Sequence, residues 1–319
     1  MHLNWALAVT GLGLALAQQP QDTPTINVSV NVVNILCSVR DSKGALLPNL
    51  SKDDFTVTEE GKPQDIRYFA HETDLPLTLG LLVDVSGSER NMIEIEKRAA
   101  DQFFGKVLRK QDMAFLMSFG SEAELLQDST NSVVLLRRGL DDLKLRTGAT
   151  GPLPSPVPTI NQPRGTILFD AVYLAATEQL RHEVGRKAIV LITDGEDQGS
   201  RVKLTEAIEA AQKSDLIVYS ILYVDPSFYR GQGIMFSSGE SDLRRMSEET
   251  GGHMFRVDRK TTLDTVFQEI QDEMRSQYSI GYVASGNVAP GTYRRVEVRM
   301  KQKGLKVQAR KGYYSAKPD

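Results

Sequence analysis

Between Leu75 and Ser276 apolar runs of strand length take turns with helical segments, and that alternation limits the fold more than any other feature of the chain. The runs at 77–83, 113–119, 188–193 and 216–223 are almost unbroken by polar residues. Strands that bury both faces read this way. Segments 89–108, 130–144, 167–182, 202–213, 240–249 and 261–276 carry helical spacing between and after them. The pattern predicts an α/β fold with a doubly wound, mostly parallel sheet. Ser129 or Thr130, and Thr261 or Thr262, are the expected N-caps of two of these helices.

The ends of the chain follow another grammar. Ile26, Val28, Val30 and Val32 alternate with polar residues, and the apolar parity then shifts to Ile35, Cys37 and Val39. A shift of this kind predicts a bulge or strand break near Val33–Asn34. Phe55–Thr58 and Ile66–Phe69 read as two more strands, parted by the turn-rich Glu59–Pro63. Near the C-terminus Val296, Val298 and Met300 alternate with charged residues, as do Leu305 and Val307, and Lys303–Gly304 predicts a hairpin turn. Neither group of strands is large enough to stand alone. They are expected to meet in one small β-sandwich, with residues 25–74 and 277–316 as its halves and 75–276 inserted between.

Composition excludes several classes. A net charge of −3 over 319 residues gives no signature of a nucleic-acid binder. No apolar stretch after the N-terminus is long enough to span a bilayer. Residues 1–17 read as a signal peptide, with an apolar Leu3–Leu16 stretch and the small-x-small sequence Ala15-Leu16-Ala17 before Gln18. The expectation is an exported protein, periplasmic, cell-surface or extracellular. The single Cys37 rules out an internal disulfide framework, and its place among alternating apolar residues makes it a core thiol.

The chemistry gathers at the ends of the apolar runs. Asp84-Val85-Ser86-Gly87-Ser88 follows the first of them, and Asp194 ends the run Ala188–Ile192 one residue on. Thr166 follows Arg164-Gly165 and precedes a helical segment. Open α/β sheets place their ligands just beyond the C-terminal ends of strands. Carboxylates and hydroxyls are hard oxygen donors, suited to Mg²⁺, Mn²⁺ or Ca²⁺ rather than zinc. Three neutral hydroxyls with two carboxylates that reach the ion partly through water leave it able to accept an anion from outside. The same residues also serve as plain caps and turn formers, Ser88 for the helix at Glu89 and Asp194 for a turn with Gly195. Glu196–Asp197 offers either a second ion position or a solvated loop.

This set of five residues, in this order, resembles the metal-ion-dependent adhesion site of the von Willebrand factor A-type domain. The resemblance covers about 200 residues. It implies that Ser86, Ser88 and Thr166 ligate a divalent cation directly, while Asp84 and Asp194 act mostly through water. It also implies a protein-binding module whose partner presents Asp or Glu to the ion. In integrin-type relatives affinity depends on a shift of the C-terminal helix, here 261–276. The flanking β segments, with Gln277–Tyr282 and Arg310–Tyr314, resemble exported bacterial proteins of this class.

Catalysis is the competing reading. An aspartate after an apolar strand is the nucleophile of haloacid dehalogenase-like phosphotransferases, with Ser118, Lys187 and Asp194 standing in for the other parts. That chemistry needs a second acid where Ser86 stands. No nucleophile elbow or histidine cluster supports a hydrolase. A third alternative is a scaffold whose metal only braces the fold. Two irregular segments, 146–165 and 225–240, are the expected specificity loops, although long loops are as often disordered as functional. The basic tail residues Arg294 to Lys311 fit the polar side of sheet edges.

Overall fold

A computed structural model describes residues 32–71, 75–86, 92–144, 165–223, 237–284, 286 and 289–315. Residues 1–31, Ser88, 145–164 and 224–236, which carry the leader, one proposed ligand and most of both irregular segments, lie outside the described residues.

The chain begins with four strands, β1 (Val32–Arg40), β2 (Phe55–Glu59), β3 (Lys62–Gln64) and β4 (Ile66–His71). The α/β segment follows as β5 (Leu77–Asp84), α1 (Ile93–Val107), β6 (Met113–Phe119), β7 (Ala123–Thr130), α2 (Val133–Asp142) and α3 (Leu168–Leu174). A π-helical turn, Ala175–Gln179, extends α3. Next come β8 (Arg186–Thr193), α4 (Leu204–Lys213), β9 (Leu216–Leu222), α5 (Ser237–Thr250), β10 (Met254–Arg256) and α6 (Leu263–Arg275). The chain closes with β11 (Tyr278–Val283), β12 (Tyr293–Met300), β13 (Lys306–Ala309) and β14 (Gly312–Tyr314).

Six strands form the central sheet in the order β10-β9-β8-β5-β6-β7, all parallel except β7. Alternate residues of β5 point to opposite faces, so the strand is buried throughout. Leu79, Leu81 and Val83 pack with α1, α2 and α6, through Phe103, Phe104, Leu136, Val266 and Ile270. Leu82 lies in the opposite layer with Leu168, Val172, Ala211, Leu243 and Met246. Gly80 interrupts the apolar run for a steric reason. A Cβ there would stand 2.3 Å from the Phe115 ring. From β5 the chain moves to β6 on one side and later returns to β8 on the other. The ends of β5 and β8 therefore flank the switch point of the sheet, where α/β folds open a crevice.

Two antiparallel sheets, β13-β1-β11-β4 and β14-β12-β2-β3, enclose a second core of Val33, Ile35, Cys37, Val39, Phe55, Val57, Tyr278, Ile280 and Tyr282. Each sheet draws strands from both ends of the chain. Burial drives the Cys37 thiol up to about 12, so it stays protonated and inert. Glu59 stands in this core with no exposed surface. The hydroxyls of Tyr282 (2.6 Å) and Tyr313 (3.0 Å) donate to one of its oxygens, and the Arg294 guanidinium pairs with the other. One carboxylate thus ties β2 to β11, β12 and β14.

Both crossings between the sandwich and the central sheet meet Arg186. Its guanidinium donates to Leu75 O on the ingoing crossing (3.1 Å) and to Met274 O on the outgoing one (2.5 Å). Beside it Arg40 of β1 pairs with the buried Glu273 of α6 at 2.8 Å.

Several expectations need correction. Register between β1 and β11 runs unbroken from Val32 to Cys37, so no bulge falls at Val33–Asn34; Val33 already has the inward parity, and Val32 faces out. The turn at Lys303–Gly304 does not close a hairpin, because β12 and β13 belong to different sheets. The segment Glu59–Pro63 is a tight turn into the added strand β3. Strands β7 and β10, both at sheet edges, carry too little apolar pattern to be read in advance. The helix expected from 130 begins later, with Ser132 as the N-cap whose hydroxyl accepts from Leu135 N. At α6 the cap is Thr262, one of the two expected.

Replacing Glu59 by Leu strands the Arg294 charge and two tyrosine hydroxyls in the sandwich core. The expected loss is about 3 kcal/mol or more in urea denaturation. A loss below about 1 kcal/mol would mean that Arg294 swings out to water.

Candidate metal centre

Asp84, the last residue of β5, has no exposed surface. The Ser86 N–H donates to its Oδ1 at 2.9 Å, and the Thr193 hydroxyl donates to its Oδ2 at 2.7 Å. Thr193 ends β8 and accepts in turn from Gly195 N at 3.0 Å. Asp194 follows, almost fully buried, with its Oδ1 accepting from Glu196 N at 3.1 Å. Such short-range turns need no distant partner to hold their shape. Gly195 adopts φ +87° and lies against the first turn of α5, where a Cβ on Gly239 would meet Gly195 O at 2.5 Å.

The third loop is pinned by backbone. Ile167 N donates to Gly120 O at 2.8 Å, beyond the end of β6, and Gln198 N donates to Thr166 O at 3.0 Å. Thr166, also buried, is thereby held between the β6 end and the loop that carries Asp194. The structure brings Asp84, Ser86, Thr166 and Asp194 to one end of the sheet, while Ser88 lies outside the described residues.

Electrostatics at this end are unfavourable without a cation. Burial, followed by the charge of Asp194, pushes the Asp84 carboxyl up to about 7, against hydrogen bonds from Thr193 and Ser86 that act the other way. Among the described residues, no lysine or arginine acts on Asp84. On α1, Glu96 is 1 % exposed, and among the described residues neither of its oxygens has a hydrogen-bond partner. Burial, and then the charge of Asp84, raises its carboxyl well above the usual range. Buried acids with no cationic side chain acting on Asp84 among the described residues, beside two hydroxyl-bearing residues, fit a divalent cation with oxygen ligands. Among the described residues no three His, Cys, Asp or Glu side chains gather closely enough to hold a metal by themselves, so any ion here needs the hydroxyls.

The phosphotransferase arrangement does not assemble. Lys187 lies near the start of β8, paired with Thr78, whereas Asp194 follows its far end. Seven residues of extended chain separate the two by about 20 Å. Asp197 accepts from Phe169 N at 3.3 Å and from the Ser200 hydroxyl at 2.5 Å, so it serves the first turn of α3. Two participants escaped the sequence reading. Thr193 left only a faint signal, a single hydroxyl closing an apolar run. Glu96 left a clearer one, an acid in the apolar stripe of α1 between Ile93 and Ala99.

The sign of the Asp84 effect on stability follows from linkage. In the unfolded chain this group ionises near pH 4. Between about pH 4 and 7 the ion-free fold holds a proton that the unfolded chain has lost, so its stability falls as pH rises through that window. Asp84→Asn is expected to stabilise the chelator-treated protein at pH 7.5, on the order of 3 kcal/mol, with little difference near pH 4. Denaturation curves at the two pH values test this, and equal stabilities at both would refute the buried charge.

Among curated proteins, none matches this sequence. Of solved structures, the conserved hypothetical protein BatB from Bacteroides thetaiotaomicron is similar at 18 % identity, over 62 % of this chain and 97 % of that one, with a TM-score of 0.46. Proximal thread matrix protein 1 from the mussel byssus, with a zinc-occupied MIDAS motif, is similar at 13 % identity, over 65 % and 50 % of the two chains, with a TM-score of 0.46. The vWF domain of the type V pili tip protein Mfa5 from Porphyromonas gingivalis is similar at 13 % identity, over 67 % and 98 %, with a TM-score of 0.45. Residues 158–269, which include Thr166 and Asp194, match the family model of the von Willebrand factor type A domain.

Proposed function

We propose that this protein is a metal-dependent binding module that captures an acidic side chain of a partner protein through a divalent cation. The observation that carries this reading is the convergence of two buried carboxylates, Asp84 and Asp194, with Ser86 and Thr166, where among the described residues no cationic side chain acts on Asp84. Domains of this type are generally interaction modules rather than enzymes.

In this reading Ser86, Ser88 and Thr166 ligate the ion. Asp84 orients the Ser86 backbone, and Thr193 fixes the Asp84 carboxylate. Asp194 shapes its own loop by accepting from Glu196 N. A bound ion supplies an open coordination position for a carboxylate. Mg²⁺ is the favoured occupant, with Mn²⁺ or Ca²⁺ as alternatives of the same hard character. The segments 146–165 and 225–240 flank the site in sequence and would select the partner. The segments 25–74 and 277–316 would carry the 75–276 domain on an exported protein whose leader is residues 1–17. Among the described residues no helix is long and apolar enough to cross a membrane.

The helix shift of integrin-type relatives meets an obstacle here. Helix α6 stacks on α1 through Phe103 and Phe267, with ring centroids 4.3 Å apart. Its C-terminal end is held by Arg186 and by the Arg40–Glu273 pair, and it runs directly into β11. Displacing α6 would break a buried ion pair and pull on the sandwich, which favours a site of constant affinity.

Calorimetric titration of Mg²⁺ and Mn²⁺ into the purified chain tests the proposal. Saturable binding is expected in the wild type and its loss in Ser86→Ala. A folded wild type that takes up neither ion would remove the adhesion mechanism.

A further inference from the structure

Helix α1 buries one face, and Ile93, Ala99, Ala100, Phe103, Phe104 and Val107 on that face are core residues. Glu96 belongs to the same stripe. It stands three residues after Ile93 and four before Ala100, where helical geometry turns the side chain inward. Two carboxyl oxygens in an apolar core with no partner among the described residues are costly, and such groups call for one. Attraction of an acid to the first turn of a helix does not explain the burial. Glu94 already occupies that turn from the exposed side, within 3.3 Å of Lys97.

Val83 and Val85, on either side of Asp84, share one core with Ile93 and Ala100 of α1, and the charge of Asp84 reaches Glu96. We propose that Glu96 is a further residue of the cation site, placed one shell out, where its carboxylate accepts the protons of water or hydroxyl groups coordinated to the ion. This inference rests on the cation reading above. Groups bound to a divalent ion are polarised toward releasing their protons and so donate strongly. A dry carboxylate with no protein donor is the matching acceptor. The lack of any three-acid cluster within ligating reach among the described residues places Glu96 outside the first shell. Outer acceptors of this kind orient ligands and strengthen the hold on the metal.

The arrangement has a functional consequence. Three acids, Asp84, Asp194 and Glu96, set against a divalent charge hold the ion more firmly than two and reduce its demand for a partner carboxylate. The ion would then be resident, and partner binding weaker and reversible.

Cation affinities of the wild type, Glu96→Gln and Glu96→Leu, measured by calorimetry with Mn²⁺, test the proposal beside denaturation midpoints in chelator. Glu96→Gln keeps the shape and one acceptor, and its affinity is expected to fall about 10-fold or more. Glu96→Leu, with no acceptor, is expected to fall further. The ion-free midpoints should rise in the opposite order, since each change relieves a buried acid. A merely structural Glu96 would move the midpoints and leave affinity within about twofold, which would overturn the inference. Ser86→Ala separates the two failures. If wild type and Glu96→Gln bind alike while Ser86→Ala does not bind, only the Glu96 role is lost. If the wild type does not bind either, the cation site and the role of Glu96 fall together.

Discussion

The fully buried carboxylate of Asp84 is the constraint around which the head of the central sheet is built. A charge placed there needs donors, and it takes them from Ser86 N–H on its own loop and from the Thr193 hydroxyl on the neighbouring strand. Thr193 then accepts from Gly195, which sets the turn carrying Asp194. The two carboxylates come close enough to raise the proton affinity of Asp84, and their own donors do not cancel that repulsion. This repulsion is the physical basis of the proposed divalent cation, which would neutralise both acids and draw on the neighbouring hydroxyls.

The second organising interaction lies at the connections between the two cores. Arg186 opens β8 and binds the carbonyls of both crossings, Leu75 and Met274. Its own strand leads seven residues later to Thr193, so the same β8 anchors the sandwich at one end and the candidate site at the other. Arg40 and Glu273 add a pair whose acid is almost entirely dry. Breaking a pair of that kind leaves an uncompensated charge, which makes the connection stiff. The sandwich is held by the chain's opposite ends, with Glu59 collecting donors from three strands that follow it by more than 200 residues.

Elements with dense apolar pattern were legible in advance, and sparse ones were not. The strands at 77, 113, 188 and 216 announced themselves because both of their faces are buried. Strand β7 did not, since an edge strand with one partner shows mixed exposure and its Glu124, Gln127 and Asp128 read as loop. The Lys303–Gly304 turn looked like a hairpin because turn chemistry is local, whereas the sheet that the next strand joins is decided elsewhere. At the candidate site, the sequence places the proposed ligands Asp84, Ser86, Thr166 and Asp194 after apolar runs and before a helix.

The sequence by itself determined the two grammars, the apolar strands of the central sheet, and the oxygen-bearing residues at their ends. These follow from side-chain periodicity and from strand-end placement, both short-range properties of the chain. Tertiary structure alone decided that Asp84 takes its second donor from Thr193, and that Glu96 is dry and without a hydrogen-bond partner among the described residues. The physical reason is that donor pairing and desolvation depend on which strands and helices lie side by side. That choice is made by packing across the sheet, over separations of ten to a hundred or more residues, and periodicity along a single segment does not encode it.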